Sequence, residues 1–241
     1  MEPGRNSMIE HSRLNLEKIN AGQMSAADFF EQFHIEMIPF LSLMSDYQCA
    51  ILEVETKFRV LNTKLAINGE ENPIESIKTR IKSPESIVKK LESRGYPITM
   101  DSVCENIRDI AGVRVICSFI DDIYRIEKLL LQQDDVTLIS RKDYIENPKP
   151  SGYRSLHLVI KTPIFTETGK KEMYVEVQMR PIAMDFWASL EHKLRYKKDL
   201  NPQILHKLSA ELENCASQSA VLDRKMQNIR NSINQSNDDS K

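Results

Sequence analysis

Nothing in this chain approaches the ~18 consecutive apolar residues that a membrane-spanning helix needs, and its first residues lack the apolar core of a secretory leader. Neither sign of charge dominates. The 33 lysines and arginines stand against 35 aspartates and glutamates, a formal net charge of -2, so there is no global pull toward nucleic acid or an anionic membrane. Any anion must be bound through a local cluster of cations. Cys49, Cys104, Cys117 and Cys215 form no CxxC pair and have no histidines at matching spacing, which argues against a zinc site or a disulfide framework. A glycine-rich turn ending in GK[ST] is absent, so no P-loop holds phosphate here. There is no internal repeat. These absences point to the cytoplasm, a reducing compartment, with neither membrane nor nucleic acid expected as a partner.

What is present is an ordinary globular composition, 41% hydrophobic and 28% charged over 241 residues, enough for one core and a helical appendage. Residues 1–24 read as a weakly ordered segment and 25–72 as a helical region. In the latter, Met44, Tyr47, Ile51, Val54, Phe58, Leu61 and Leu65 recur at steps of three and four, Pro39 predicts a break or kink, and Asn68-Gly69 a stop. Over 73–200 the apolar period shifts between about 3.6 and 2, predicting one mixed sheet of about five strands flanked by helices, an α+β class. Strands are expected at 77–82, 112–117, 136–145, 155–162 and 172–180, with Ser83-Pro84 opening one helix and a second near 121–133. Ala183, Phe186, Trp187, Leu190 and Leu194 predict an inward stripe on the next helix. Residues 201–230 predict a C-terminal helix with a seam of Leu208, Leu212, Cys215, Ser219, Leu222, Met226 and Ile229, and 231–241 a frayed tail.

Four constellations could carry chemistry. Arg80 and Lys82 share a strand face, and Ser86 and Lys90 share a face of the helix that follows, so cations flank a strand-turn-helix able to hold polyphosphate. A solvated basic face would read the same way. In Asp109-Ile110-Ala111-Gly112-Val113-Arg114 a carboxylate opens an apolar strand, suited to a metal held close to backbone or to a simple cap. The stretch from Lys142 through Lys149, Gly152 and Tyr153 to His157 combines cations, turn formers and a tyrosine free to stack on a base. Finally Glu176 and Gln178 share the polar face of a strand. Glu176 with Asp109 would supply the two hard carboxylates that Mg²⁺ accepts.

The runs RIKSPESIVKK, DIAGVRVICSF, KDYIENPKPSGYRSLHL and EVQMRPIAMDFWASLEHKLRYK, in this order over about 75–197, resemble the synthetase domain of the RelA/SpoT homologues, most closely the single-domain small alarmone synthetases of the RelP-like group. The resemblance implies a nucleotidyltransferase-like fold and transfer of pyrophosphate from ATP to the 3′-hydroxyl of GDP or GTP, giving (p)ppGpp and AMP. It implies that Arg80 and Arg114 sandwich adenine, that Lys82, Ser86 and Lys90 hold phosphates, and that Asp109 and Glu176 bind Mg²⁺. It further implies that Tyr153 stacks on guanine, with Lys142, Lys149, His157, Gln178 and Asp185 around the acceptor nucleotide. Only about 75 residues precede the matched region, with no His-Asp motif, so hydrolysis of the product is not expected. A homo-oligomer, a tetramer, is expected from the two long apolar stripes and from the likeness. The reading from another class is a catalytically idle nucleotide or RNA sensor on the same fold.

Overall fold

The computed structural model describes residues 26–67, 72–195 and 202–238. The expectations for residues 1–24 and for the Asn68-Gly69 stop lie outside the described residues. In chain order the elements are α1 (Ala26–Ile67), β1 (Ile74–Ile81), α2 (Pro84–Ser93), α3 (Met100–Asn106), β2 (Ala111–Cys117), α4 (Ile120–Leu131), β3 (Thr137–Asp143), β4 (Leu156–Thr166), β5 (Gly169–Pro181), α5 (Ile182–Arg195) and α6 (Pro202–Asp238). The five strands form one sheet in the order β1-β2-β5-β4-β3. Only β2 and β5 run parallel; the other pairs are antiparallel.

Alternation in the strands divides the sheet into a dry back and a polar front. Val113, Val115, Leu158, Ile160, Val175, Val177 and Met179 are buried on the back, where Tyr47, Ile51, Val54 and Phe58 of α1 and Ile123, Ile126 and Leu130 of α4 meet them. Burial of each such side chain contributes roughly 1.5–3 kcal/mol. The α1 stripe is the one its spacing predicts, but the helix runs unbroken through Pro39. Ser83 caps α2 as expected, accepting from Ser86 N, with Pro84 in the first turn. The helix α3, capped by Thr99, was not anticipated: seven residues carry too little periodicity to register.

Two helix phases depart from the sequence reading. On α5, Met184 and Trp187 are buried, whereas Phe186 is 67% exposed and Leu190 and Leu194 also face outward. The phase is set by the exit from β5, which α5 follows without a loop, and by Asp223 Oδ1 accepting from Ala183 N at 3.1 Å. On α6 the inward positions are Ala216, Asp223 and Gln227, one residue round from the predicted Cys215, Leu222 and Met226. The helix docks by small and polar groups instead of a greasy seam. Leu212 O accepts from Trp187 Nε1, Gln227 Oε1 accepts from Asp121 N, and Arg230 Nη1 donates to Asp122. It also continues to Asp238, past the point where fraying was expected.

One contact ties α6 to the loop before β4. Gly152 sits at φ +81°, and a Cβ there would lie 2.7 Å from Ala216 Cβ. Gly152→Ala therefore meets both a left-handed backbone and a collision, together about 2–4 kcal/mol. Thermal melting at fixed protein concentration should show a clear fall in Tm, partly recovered by adding Ala216→Gly. An unchanged Tm would mean that this contact is not made.

Candidate active site

The front of the sheet carries one row of polar side chains drawn from all five strands. Lys78 pairs with Arg114, Arg114 with Gln178, Gln178 with His157, and His157 with Lys142. Residues in register lie on one face, so these five point the same way. The adjacent row holds Arg80, Gly112, Glu176 and Val159. Gly112 has a spatial reason: a Cβ there would come within 3.2 Å of Arg80 Cγ, so glycine lets that arginine lie flat across β2.

Two lysines flank Asp109, and one arginine lies near Glu176. Asp109 Oδ2 accepts from Lys90 Nζ at 2.6 Å and lies 3.2 Å from Lys82 Nζ. Burial raises the Asp109 carboxyl, but the bond from Lys90 and the charges of Lys82 and Lys90 outweigh it and hold the group below the ordinary aspartate value. Its other oxygen, Oδ1, is buried with no hydrogen-bond partner. Glu176 Oε2 accepts from Gln178 Nε2 at 2.8 Å and lies 3.6 Å from Arg80, and Oε1 is 4.0 Å from His157 Nδ1. Arg80 in β1 reaches Glu176, and Lys82, just past the strand's end, reaches Asp109. Among the described residues no cluster of three or more His, Cys, Asp and Glu exists. Both carboxylates are hard oxygen donors of the kind a magnesium ion would take, and one has an unsatisfied lone-pair site. Ser86 stands in the first turn of α2, bonded to Ser83.

Beside Glu176 an open cavity of about 670 Å³ is walled by Arg80, Arg114, Lys149, Tyr153, His157, Gln178, Arg180 and Trp187 with part of α5. Tyr153 Oη and His157 Nε2 are 3.0 Å apart. Lys149 Nζ lies 4.6 Å from the Tyr144 ring and 5.1 Å from that of Tyr153. Burial, with the charges of Lys149, Arg180, Lys142 and Arg114, pushes His157 down to about 3, so it is neutral at pH 7. Trp187, Met184 and Ala216 form a small second core against which Tyr153 packs. Asp185 is engaged by cations, its Oδ2 by Lys78 at 2.9 Å and its Oδ1 3.4 Å from Arg180.

A sequence profile for the region found in RelA / SpoT proteins matches residues 79–201, a span that begins within β1, ends just before α6 and contains the groups just described apart from Lys78 and Ala216. The chain belongs to the RelA/SpoT family. Relatives in the family include the GTP pyrophosphokinase YwaC of Bacillus subtilis, 46% identical over 78% of this chain and 88% of that protein. Another, the GTP pyrophosphokinase YjbM of the same organism, is 36% identical over 78% of this chain and 86% of its own length. The crystal structure of the small alarmone synthetase 1 from Bacillus subtilis, bound to its product pppGpp, superposes with a TM-score of 0.73 at 34% identity. It covers 81% of this chain and 98% of that one. The five-stranded mixed sheet with helices at both ends is the architecture of these family structures.

Twelve of the thirteen site residues singled out from sequence lie on the front of the sheet, at the ends of β1 and β2 or against groups there, while Ser86 is bonded to Ser83 on α2. Four neighbours were not among them: Lys78, Tyr144, Arg180 and Trp187. Arg180 could have been found, since it has the same strand parity as Glu176 and Gln178. The helical spacing predicts Trp187 inward, and it is buried, but its place beside Tyr153 in the cavity wall depends on non-local packing and could not be read. Among the described residues no helix is long and apolar enough to cross a membrane.

Proposed function

We propose that this chain transfers the β,γ-pyrophosphoryl group of ATP to the 3′-hydroxyl of GDP or GTP, releasing AMP and forming (p)ppGpp, without hydrolysing that product. The observation that carries this reading is the front of the sheet: Asp109 held by two lysines, Glu176 beside Arg80, and a tyrosine-walled cavity next to Glu176. The relatives named GTP pyrophosphokinases support it. Incubating the protein with ATP, GDP or GTP and magnesium should yield AMP and a guanosine tetra- or pentaphosphate. ATP consumed only to ADP and phosphate would refute the proposal.

In this reading Arg80 and Arg114 stack on the two faces of adenine, which planar guanidinium groups can do and ammonium groups cannot. Lys82, Ser86 and Lys90 hold the phosphates at the start of α2. Asp109 and Glu176 hold Mg²⁺, which when bound neutralises charge on the triphosphate. Glu176 also takes the proton of the attacking hydroxyl. Lys142, Lys149, His157, Gln178 and Asp185 surround the acceptor nucleotide, and Tyr153 stacks on its base. A stacked base is worth ~1–3 kcal/mol. Tyr153→Ala should therefore raise KM for GDP by about 5- to 150-fold while moving KM for ATP less than about twofold. Tyr153→Phe should be mild. Equal losses for both nucleotides would instead indicate a folding defect.

We place the protein in the cytoplasm and propose that it works as a homo-oligomer, a tetramer. Leu222, Met226 and Ile229 on α6, with Phe186 and Leu190 on α5, remain exposed in one chain. Burying them against other copies removes that apolar area from water. Light scattering at micromolar concentration should report four chain masses, reduced by Leu222→Asp. A single chain mass for the wild type would defeat this assignment.

A further inference from the structure

The helix α6 lies outside the span matched by the family profile, which ends at residue 201, yet one of its faces braces the cavity wall. Leu212, Ala216 and Asp223 follow one another at steps of four and seven residues, so they share that face. Leu212 O accepts from Trp187 Nε1 at 2.8 Å. Ala216 is buried against the loop of Gly152, so close that a Cβ on the glycine would lie 2.7 Å from the alanine Cβ. Asp223 Oδ1 accepts from Ala183 N at 3.1 Å, and the same carboxylate accepts from Met184 N.

The bonds from Asp223 do for α5 what its own sequence does not. The first N–H groups of a helix need acceptors from outside it. Here α5 follows β5 with no loop between, and the residue at the junction, Pro181, has no side-chain acceptor. The cap comes instead from a residue on another helix. It is costly to keep there: Asp223 is 8% exposed, its Oδ2 is buried with no hydrogen-bond partner among the described residues, and burial pushes its pKa up to about 6. What the carboxylate secures is the start of a helix whose first two turns carry two wall-building groups. Asp185 is bonded to Lys78 of β1 at 2.9 Å, and Trp187 is buried beside Tyr153, their ring centroids 6.4 Å apart. The groups assigned above to ATP stand on or next to β1, β2 and α2, whereas α6 packs chiefly on α5 and α4.

We propose that Asp223 is a positioning residue for the transfer reaction: from α6 it fixes the start of α5, and through Trp187 it holds the Tyr153 loop in place. This rests on the reading of that loop as the acceptor side. The test compares Asp223→Ala, which removes the cap, with Asp223→Asn, whose side-chain oxygen caps a helix about as well as a carboxylate does. Two quantities are read: KM for each nucleotide, and the emission of Trp187, the single tryptophan of the sequence, without nucleotide. Asp223→Ala should raise KM for GDP about 10-fold and move KM for ATP less than about twofold, because a small misplacement suffices to weaken a site. Its Trp187 emission should move to longer wavelength as the ring meets water. Asp223→Asn should return KM for GDP to within about twofold of the wild type and restore the emission. Asp223→Glu keeps the charge but displaces the oxygen. It should fall between, and it carries the comparison if the alanine variant does not fold. An unchanged KM for GDP or an unchanged emission in Asp223→Ala overturns the proposal. Equal rises in KM for ATP and GDP overturn it too, as does an asparagine variant no better than the alanine one. If the wild type makes no AMP from ATP and GDP, the proposed reaction fails, while the emission of the variants still judges whether Asp223 fixes α5.

Discussion

Asp109→Ala should lower pyrophosphate transfer by several powers of ten while the protein remains folded. The carboxylate sits where Lys82 and Lys90 converge, with one oxygen buried and unpartnered. Removing it deletes a hard ligand that alanine cannot replace and leaves two ammonium groups facing each other. Because its pKa is held below the ordinary value, the stabilisation it gives is fully present above the usual aspartate range. That stabilisation is lost as pH falls through the lowered folded-state value. Near pH 7 the variant should accordingly melt a few degrees lower, and its circular dichroism should be unchanged. Asp109→Asn keeps the shape and should restore the melting temperature better than the rate. Wild-type turnover in Asp109→Ala at ordinary magnesium would remove Asp109 from the reaction.

Glu176→Gln is expected to be nearly as damaging, for a different reason. The amide fills the same space and can still hydrogen-bond Gln178, so the row across the sheet persists. The lost partner of Arg80 is a half-exposed ion pair at 3.6 Å, worth at most about 1 kcal/mol to stability. What disappears is a group able to take a proton and bind magnesium. Single-turnover measurement should show a large fall in the chemical step with nucleotide affinities little changed. A loss under ~10-fold, about 1.4 kcal/mol, would contradict the assignment.

The sheet and most of the site were legible because their signals are local. Alternation in Met173–Arg180 fixes which side of β5 is dry, and the Ser83-Pro84 start fixes where Ser86 and Lys90 point. Non-local facts were not legible. Parallel pairing of β2 with β5 decides that Arg114 stands beside Gln178, and no pattern within either strand encodes the partner. The apolar residues of α5 and α6 also misdirect, because each helix turns by its hydrogen bonds to Asp223, Leu212 and Gln227 and not by its greasiest side. Arg180 and Asp185 escaped joint notice because a strand end and a helix start must meet before they form a pair.

The position of β5 has a consequence for biosynthesis. It is the last strand to leave the ribosome, yet it occupies the middle of the sheet. A nascent chain ending before Gly169 holds β1–β2 and β3–β4 as antiparallel pairs, each with an unzipped inner edge. Only insertion of β5 joins them, and the same strand brings Glu176, Gln178 and Arg180 to the front. Translation therefore withholds Glu176, Gln178 and Arg180, and with them a complete site, until the sheet is closed. The exposed inner edges make the interval before closure the one in which the chain is most open to mispairing with another copy.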